Sequence, residues 1–152
     1  MADDKPVTKE IFIEASPEDI FPYLVEGARY RKWMGVAVEL EARPGGIFRV
    51  DPNGRDVILG RFVEVDPPRR VVFTWGWEEA GHPVPAGSTH VEIELERRDG
   101  GTLVRLTHRG LGESSRGRHE LGWTHYLARL KTVACGGMPG PDPYADPNYR
   151  HG

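Results

Sequence analysis

The sequence predicts an α+β fold, a curved antiparallel sheet of about six to seven strands wrapped around one long C-terminal helix, with two short helices after the first strand. Three observations predict it. Apolar residues between Val36 and His108 alternate with polar ones at the strand period. Clusters of Gly, Pro, Asn and Asp interrupt that stretch at intervals suited to hairpins, which implies antiparallel neighbours. One segment, Glu113 to Ala134, has a long helical period, with Trp123, Leu127, Leu130 and Ala134 spaced four, three and four apart. A sheet with an apolar face must bury it against something, and this helix is the only long partner the chain offers.

The elements follow in order. Val7 to Glu14 reads as the first strand, with Val7, Lys9, Ile11 and Ile13 on one face. Ser16 is a good N-cap, Pro17 suits the first helical position, and Glu18 and Asp19 complement the positive helix end. Ile20, Phe21 and Leu24 form the buried stripe of that helix. Pro22 removes an internal donor, so the helix should be short or kinked, ending at Gly27. A second helical turn is expected from Ala28 to Trp33. Strands are then expected at Val36–Glu41, Ile47–Val50, Val57–Val65, Arg70–Trp77, Ser88–Glu96 and Thr102–His108. The turns between them include Arg43-Pro44-Gly45-Gly46, Asp51-Pro52-Asn53-Gly54 and Asp99-Gly100-Gly101. In the long helix Tyr126 and Val133 widen the stripe. Ser114 or Ser115 is expected to cap its start and Gly136-Gly137 to stop it. The folded domain is expected over residues 1–137, and the Pro- and Gly-rich residues 138–152 as an extended or disordered tail.

Length and charge narrow the function classes. The 152 residues suit one domain with a sizeable core. A net charge of −3, with Arg scattered along strands and turns, gives no nucleic-acid footprint. Cys135 is the single cysteine, so no internal disulfide forms; a plain buried or half-buried thiol is expected at that helix end. The start has no apolar run and no stretch is long enough to span a membrane, so the expected location is the cytoplasm.

Candidate site residues come from the faces just assigned. Val71, Phe73, Trp75 and Trp77 share one face of a strand, and Trp123 lies on the helix stripe opposite. Together with Trp33 these flat side chains can leave a gap beside the helix and line a ligand pocket. Filling the core is the competing reading. His108 follows Val104 and Leu106 at the strand period and should point inward; it is the candidate acid or base, against a histidine satisfied by a hydroxyl or backbone partner. His119 lies one turn before Trp123 and suits a hydrogen bond from the helix start to a loop, and His125 should be exposed. Phe21, Tyr126 and Leu127 complete the expected lining. Arg49 and Arg61 suit ion pairs with outer-face Glu residues, or one of them reaches inward. Glu92, Glu94 and Glu96 alternate with Val91, Ile93 and Leu95 and should face solvent without chemistry. No Cys-x-x-Cys, His-Glu-x-x-His, Gly-x-Ser-x-Gly or phosphate loop is present, so no metal site and no cofactor are expected.

Several pieces in order carry a family resemblance: Ala15-Ser16-Pro17-Glu18-Asp19-Ile20-Phe21, Arg31-Lys32-Trp33, Arg43-Pro44-Gly45-Gly46, Gly60-Arg61-Phe62-Val63-Glu64-Val65-Asp66-Pro67-Pro68-Arg69-Arg70, Trp75-Gly76-Trp77, Leu106-Thr107-His108 and His119-Glu120-Leu121-Gly122-Trp123. The chain resembles the helix-grip, or START-like, SRPBCC superfamily, and within it the branch named for the activator of heat-shock-protein-90 ATPase. The resemblance implies a cavity between sheet and C-terminal helix, used by different members for lipids, hormones or polyketides, and by some for cyclisation or dehydration. Fold sets the location of such a site but not its chemistry. The expected function is binding of a small hydrophobic ligand, aromatic, acyl or polyketide-like. The alternatives are a cyclase or dehydratase using the same cavity and a chaperone-associated interaction module. The namesake co-chaperone engages its partner through an additional N-terminal domain, which has no counterpart here, so a chaperone partner is not expected. A homodimer is left open.

Overall fold

The structure, a computed structural model, describes residues 5–148; residues 1–4 and the last four residues of the tail, 149–152, lie outside the described residues. Seven strands form one sheet in the order β1-β7-β6-β5-β4-β3-β2. They are β1 (Val7–Ile13), β2 (Ala37–Leu40), β3 (Ile47–Asp51), β4 (Ile58–Asp66), β5 (Arg70–Trp75), β6 (Thr89–Arg98) and β7 (Gly101–Arg109). Every neighbouring pair is antiparallel. β2 to β7 form a meander of consecutive strands. β1 instead docks on the last strand, and the chain crosses to the far edge through the short helices.

Those helices are α1 (Pro17–Ile20), α2 (Pro22–Val25) and α3 (Gly27–Tyr30). Ser16 caps α1, its hydroxyl accepting from Asp19 N–H at 3.1 Å. Pro22 breaks the first expected helix into α1 and α2, as its missing donor requires. Gly27 opens α3 instead of closing a longer helix. Ile20, Phe21 and Leu24 are buried.

The sheet bends at a bulge in β4. Phe62 pairs with Phe73 and Glu64 with Val72, which leaves Val63 unpaired on the outer side. A bulge adds local twist and curvature. On the inner face Phe48, Phe62, Phe73, Ile93 and Leu106 are fully or almost fully buried. On the outer face Arg70 of β5 is held by Glu64, Glu92 and Glu94. Arg61 is exposed and donates to the Gly45 carbonyl at 3.1 Å, while Arg49 stands opposite Glu39 across β2 and β3.

The long helix α4 (Glu113–Ala134) lays Trp123, Tyr126, Leu127, Leu130 and Val133 into the same core. Neither serine caps it. The helix starts one residue ahead of Ser114, and Gly112, with φ +75°, occupies the cap position. That backbone region favours glycine. Ser115 is buried. Gly136, at φ +87°, follows the end and takes the left-handed conformation common after helices. Cys135 is exposed, not buried, because it lies just past the last turn that faces the core.

After α4 the chain turns back along the helix. A single 3-10 turn, Pro143–Ala145, is capped by Asp142, whose carboxylate accepts from Tyr144 N–H at 3.0 Å. Tyr144 stacks on His125 with ring centroids 4.4 Å apart. His125 is therefore half-buried under the tail and not exposed as its place off the main stripe implies.

Candidate functional site

A cavity of about 240 Å³ lies between α4 and the end of the sheet formed by β4 and β5. The sheet side supplies Ile58, Trp75 and Trp77. Loops add Met34 and Pro52, and the tail adds Tyr144. α4 supplies Arg118, His119, Leu121, Gly122, Trp123 and Tyr126. Helical spacing explains the last group, since residues three and four apart stack on one face.

The sheet wall arises from β5. Its alternation turns Val71, Phe73 and Trp75 inward. Gly76 then allows a close crossing: a Cβ there would sit 1.7 Å from the Pro85 carbonyl oxygen. This crossing lets Trp77 bridge both Ile58 and Pro85, and Trp77 N–H donates to the Val84 carbonyl at 2.8 Å. Trp77 thus extends the inward series beyond the regular strand.

Hydrogen bonds fix most of the polar atoms around the cavity. Trp123 donates its indole N–H to His108 Nδ1 at 3.0 Å. That nitrogen must be an acceptor, so Nε2 carries the proton and donates to Thr89 Oγ1 at 2.8 Å. Thr89 Oγ1 in turn donates to the Trp75 carbonyl at 2.8 Å. Burial, and after it the nearby His119 and His90, hold His108 well below the usual imidazole range. It is a neutral link between helix and sheet. His119 Nδ1 bonds the Ser115 carbonyl at 2.9 Å, and Nε2 accepts from the Trp77 indole at 3.2 Å. Tyr126 donates its hydroxyl to Asp142 at 2.9 Å, and burial followed by that carboxylate pushes its pKa up.

Two groups remain without such partners. Trp75 Nε1 is the one buried side-chain nitrogen or oxygen with no hydrogen-bond partner among the described residues. Arg118 forms no hydrogen bond or ion pair among the described residues and is the only formally charged side chain in the lining.

The structure places the expected site residues in three groups. Trp75, Trp77, His119, Trp123 and Tyr126 line the cavity. His108 lies behind its wall, against Trp75 with centroids 5.5 Å apart. Phe21, Trp33, Phe73 and Leu127 are packed in the core cluster away from the cavity surface. Trp33 has its indole N–H on the Tyr23 carbonyl at 2.8 Å and its ring 4.6 Å from Tyr30. Neither Arg49 nor Arg61 reaches the cavity. Sequence reasoning missed Arg118 and Tyr144. Arg118 stands one helical turn before Gly122, a spacing that pairs them on one face; Tyr144 has no local signal at all.

A bent antiparallel sheet gripping a C-terminal helix around an aromatic cavity defines a helix-grip protein of the SRPBCC superfamily. The chain belongs to the family described as activator of Hsp90 ATPase homolog 1-like protein, which matches residues 14–134. It is similar to an AHSA1-like protein from Rhizobium etli solved by NMR, with 39% identity, a TM-score of 0.73, and 99% of this chain and 94% of that one covered. A second similar structure is the Aha1 dimer from Colwellia psychrerythraea, at 23% identity and TM-score 0.75, covering 88% of this chain and 98% of that one. A third is a putative protein in the dynemicin biosynthetic locus, at 20% identity and TM-score 0.77, covering 90% of this chain and 49% of that one. The last two show the fold alone. Among curated proteins none matches the chain significantly. No helix among the described residues is long and apolar enough to cross a membrane.

Proposed function

We propose that this chain binds a small, largely apolar aromatic molecule in the cavity between β5 and α4. The observation that carries the reading is the lining itself, with Trp75, Trp77, Trp123, Tyr126 and Tyr144 around about 240 Å³. Aromatic walls with few polar groups are the usual make-up of a small-molecule site. The size decides between guests. An apolar cavity of about 150 Å³ holds benzene, so this one suits one ring or two fused rings. A longer or larger guest would extend out through the open side of the cavity, where Leu121 and Arg118 are exposed.

Binding is favoured over cyclase or dehydratase chemistry by the state of the imidazoles. General acid or base work needs a nitrogen within reach of the substrate. Both nitrogens of His108 and both of His119 are committed to protein partners. The dynemicin-locus neighbour does not alter that balance, because the likeness is one of fold. A chaperone-type interaction module is supported by the family name alone. A second copy of this chain is the protein partner that the Colwellia dimer brings forward, and sedimentation equilibrium tests it.

Gly122 offers a direct test of the cavity. It lines the space, and a Cβ built there meets nothing within 4 Å. Gly122→Leu should fill the cavity while raising helix stability by up to about 1 kcal/mol. A thermal-shift screen of one- and two-ring aromatics should stabilise the natural chain, by about 2.7 kcal/mol at a hundredfold excess over Kd, and leave the variant unmoved. Absence of any shift with the natural chain, or equal shifts in both, refutes the proposal.

A further inference from the structure

We infer that residues 138–146 form a strap across one end of the cavity, and that Tyr144 is the residue setting how long a guest the site accepts. This deepens the cavity reading given above and rests on it. The lining residues of α4 run from Arg118 to Tyr126, about 12 Å of axis at about 1.5 Å per residue. At the first end Arg118 and Leu121 are exposed, and the space opens to solvent. At the other end stand Met34, Tyr126 and Tyr144. The half-buried Tyr144 stacks on His125 at 4.4 Å and meets Tyr126 edge-on at 5.7 Å. A guest lying along the helix therefore ends against the Tyr144 ring.

Three anchors on α4 hold the strap in place. Arg129 donates from Nε to the Trp33 carbonyl at 3.0 Å and from Nη1 to the Gly140 carbonyl at 3.1 Å. One guanidinium thus ties the strap to the segment that supplies Met34. Asp142, its side chain only 8% exposed, accepts from Tyr126 at 2.9 Å and lies 2.8 Å from His125. The Tyr144 ring on His125 is the third anchor. Pro139, Pro141 and Pro143 fix every second φ across this short stretch. They stiffen the strap, although no residue from 138 to 148 joins the sheet. The family match ends at residue 134, so the stop is built by the tail and not by the matched domain. Such a wall excludes by shape. A further ring must stand in water at the Arg118 end or break the Asp142 anchor.

Two linear probes isolate guest length: 2-naphthol and 2-anthrol, which differ by one ring, titrated against the full chain by tryptophan fluorescence. The ratio of their affinities within one protein cancels any general loss of stability. In the natural chain the added ring is expected to improve affinity less than about threefold, because most of it stays in water. In Tyr144→Ala it should improve affinity roughly tenfold, the worth of about 55 Å² of apolar surface leaving water. Asp142→Ala, which keeps the tyrosine ring but releases the strap, should move the ratio the same way. An equal ratio in all three proteins overturns the inference and, with 2-naphthol bound, leaves the cavity reading standing. Failure of 2-naphthol to bind the natural chain overturns the cavity reading itself.

Discussion

Trp123 of the helix and His108 of the sheet are joined by a buried hydrogen bond, indole N–H to Nδ1, at 3.0 Å. The bond requires a neutral imidazole, because a protonated Nδ1 would face a second donor. It is continued through Thr89 to the Trp75 carbonyl, so helix, two strands and cavity wall share one polar chain.

Acid should therefore weaken the fold through His108. Its folded pKa lies below the ordinary value of 6.5, so the unfolded chain takes up a proton that the folded one refuses. The stabilisation is complete above pH 6.5 and is lost as pH falls through the interval down to the folded value. The slope is about 1.4 kcal/mol per pH unit for one such group. His82, also lowered by burial, adds a smaller part because it is only partly enclosed. Urea unfolding between pH 8 and 5 should show this limb, and His108→Gln, which can still accept from Trp123 and donate to Thr89, should flatten it. An unchanged limb in the variant would show that His108 is not its source.

Asp142 ties the tail to the helix. Its carboxylate accepts from Tyr126 at 2.9 Å and Tyr144 N–H at 3.0 Å, and lies 2.8 Å from His125 Nε2. Asp142→Ala is expected to destabilise by about 1–3 kcal/mol, since several donors lose one acceptor. Combined with Tyr126→Phe the losses should be less than additive, with a coupling of at least about 0.5 kcal/mol. Acrylamide quenching of tryptophan should rise in Asp142→Ala as Tyr144 leaves the cavity wall. Strict additivity and unchanged quenching would mean the tail does not close the site.

Gly76 is fixed by a close approach of two segments of the chain, not by its own turn geometry. The Cβ of an alanine there would overlap the Pro85 carbonyl oxygen at 1.7 Å. Gly76→Ala should cost more than about 3 kcal/mol, in the range reserved for core disruption. Its midpoint in thermal unfolding, compared with that of Gly54→Ala in an open turn, measures the difference. Gly54 has nothing within 4 Å, so only its φ of +81° opposes substitution there.

Cys135 should behave as a surface thiol. It is exposed, with its sulfur 3.9 Å from the Glu14 carbonyl oxygen. A chromogenic disulfide reagent should label it fully under native conditions at a rate close to that in denaturant. Strong protection in the native state would contradict the exposure.

Much of this was legible in the residues. The period of Trp123, Leu127 and Leu130 defines α4, and Glu113 to Ala134 is its observed span. The alternation of Val71, Phe73 and Trp75 places an aromatic wall on the inner face, and that of Val91, Ile93 and Leu95 sets β6. Ser16 caps α1 as its spacing to Asp19 implies. Which aromatics fill the core and which border a hollow was not legible. Trp33 and Trp75 are both apolar positions near fully buried, yet only Trp75 meets the cavity.

The physical reason is the range of the forces involved. Backbone hydrogen bonding and burial of one face act between residues two, three or four apart, so they imprint a period on the chain, and the period alone determined the sheet, the long helix and the side of each that is buried. The hollow is a remainder of volume between surfaces that meet from distant parts of the chain. Tyr144 reaches it because Asp142 finds Tyr126 sixteen residues away, and Trp75 lacks an acceptor because the neighbouring indoles and imidazoles pair with one another. Such matching has no periodic signature, and only the folded arrangement decided it.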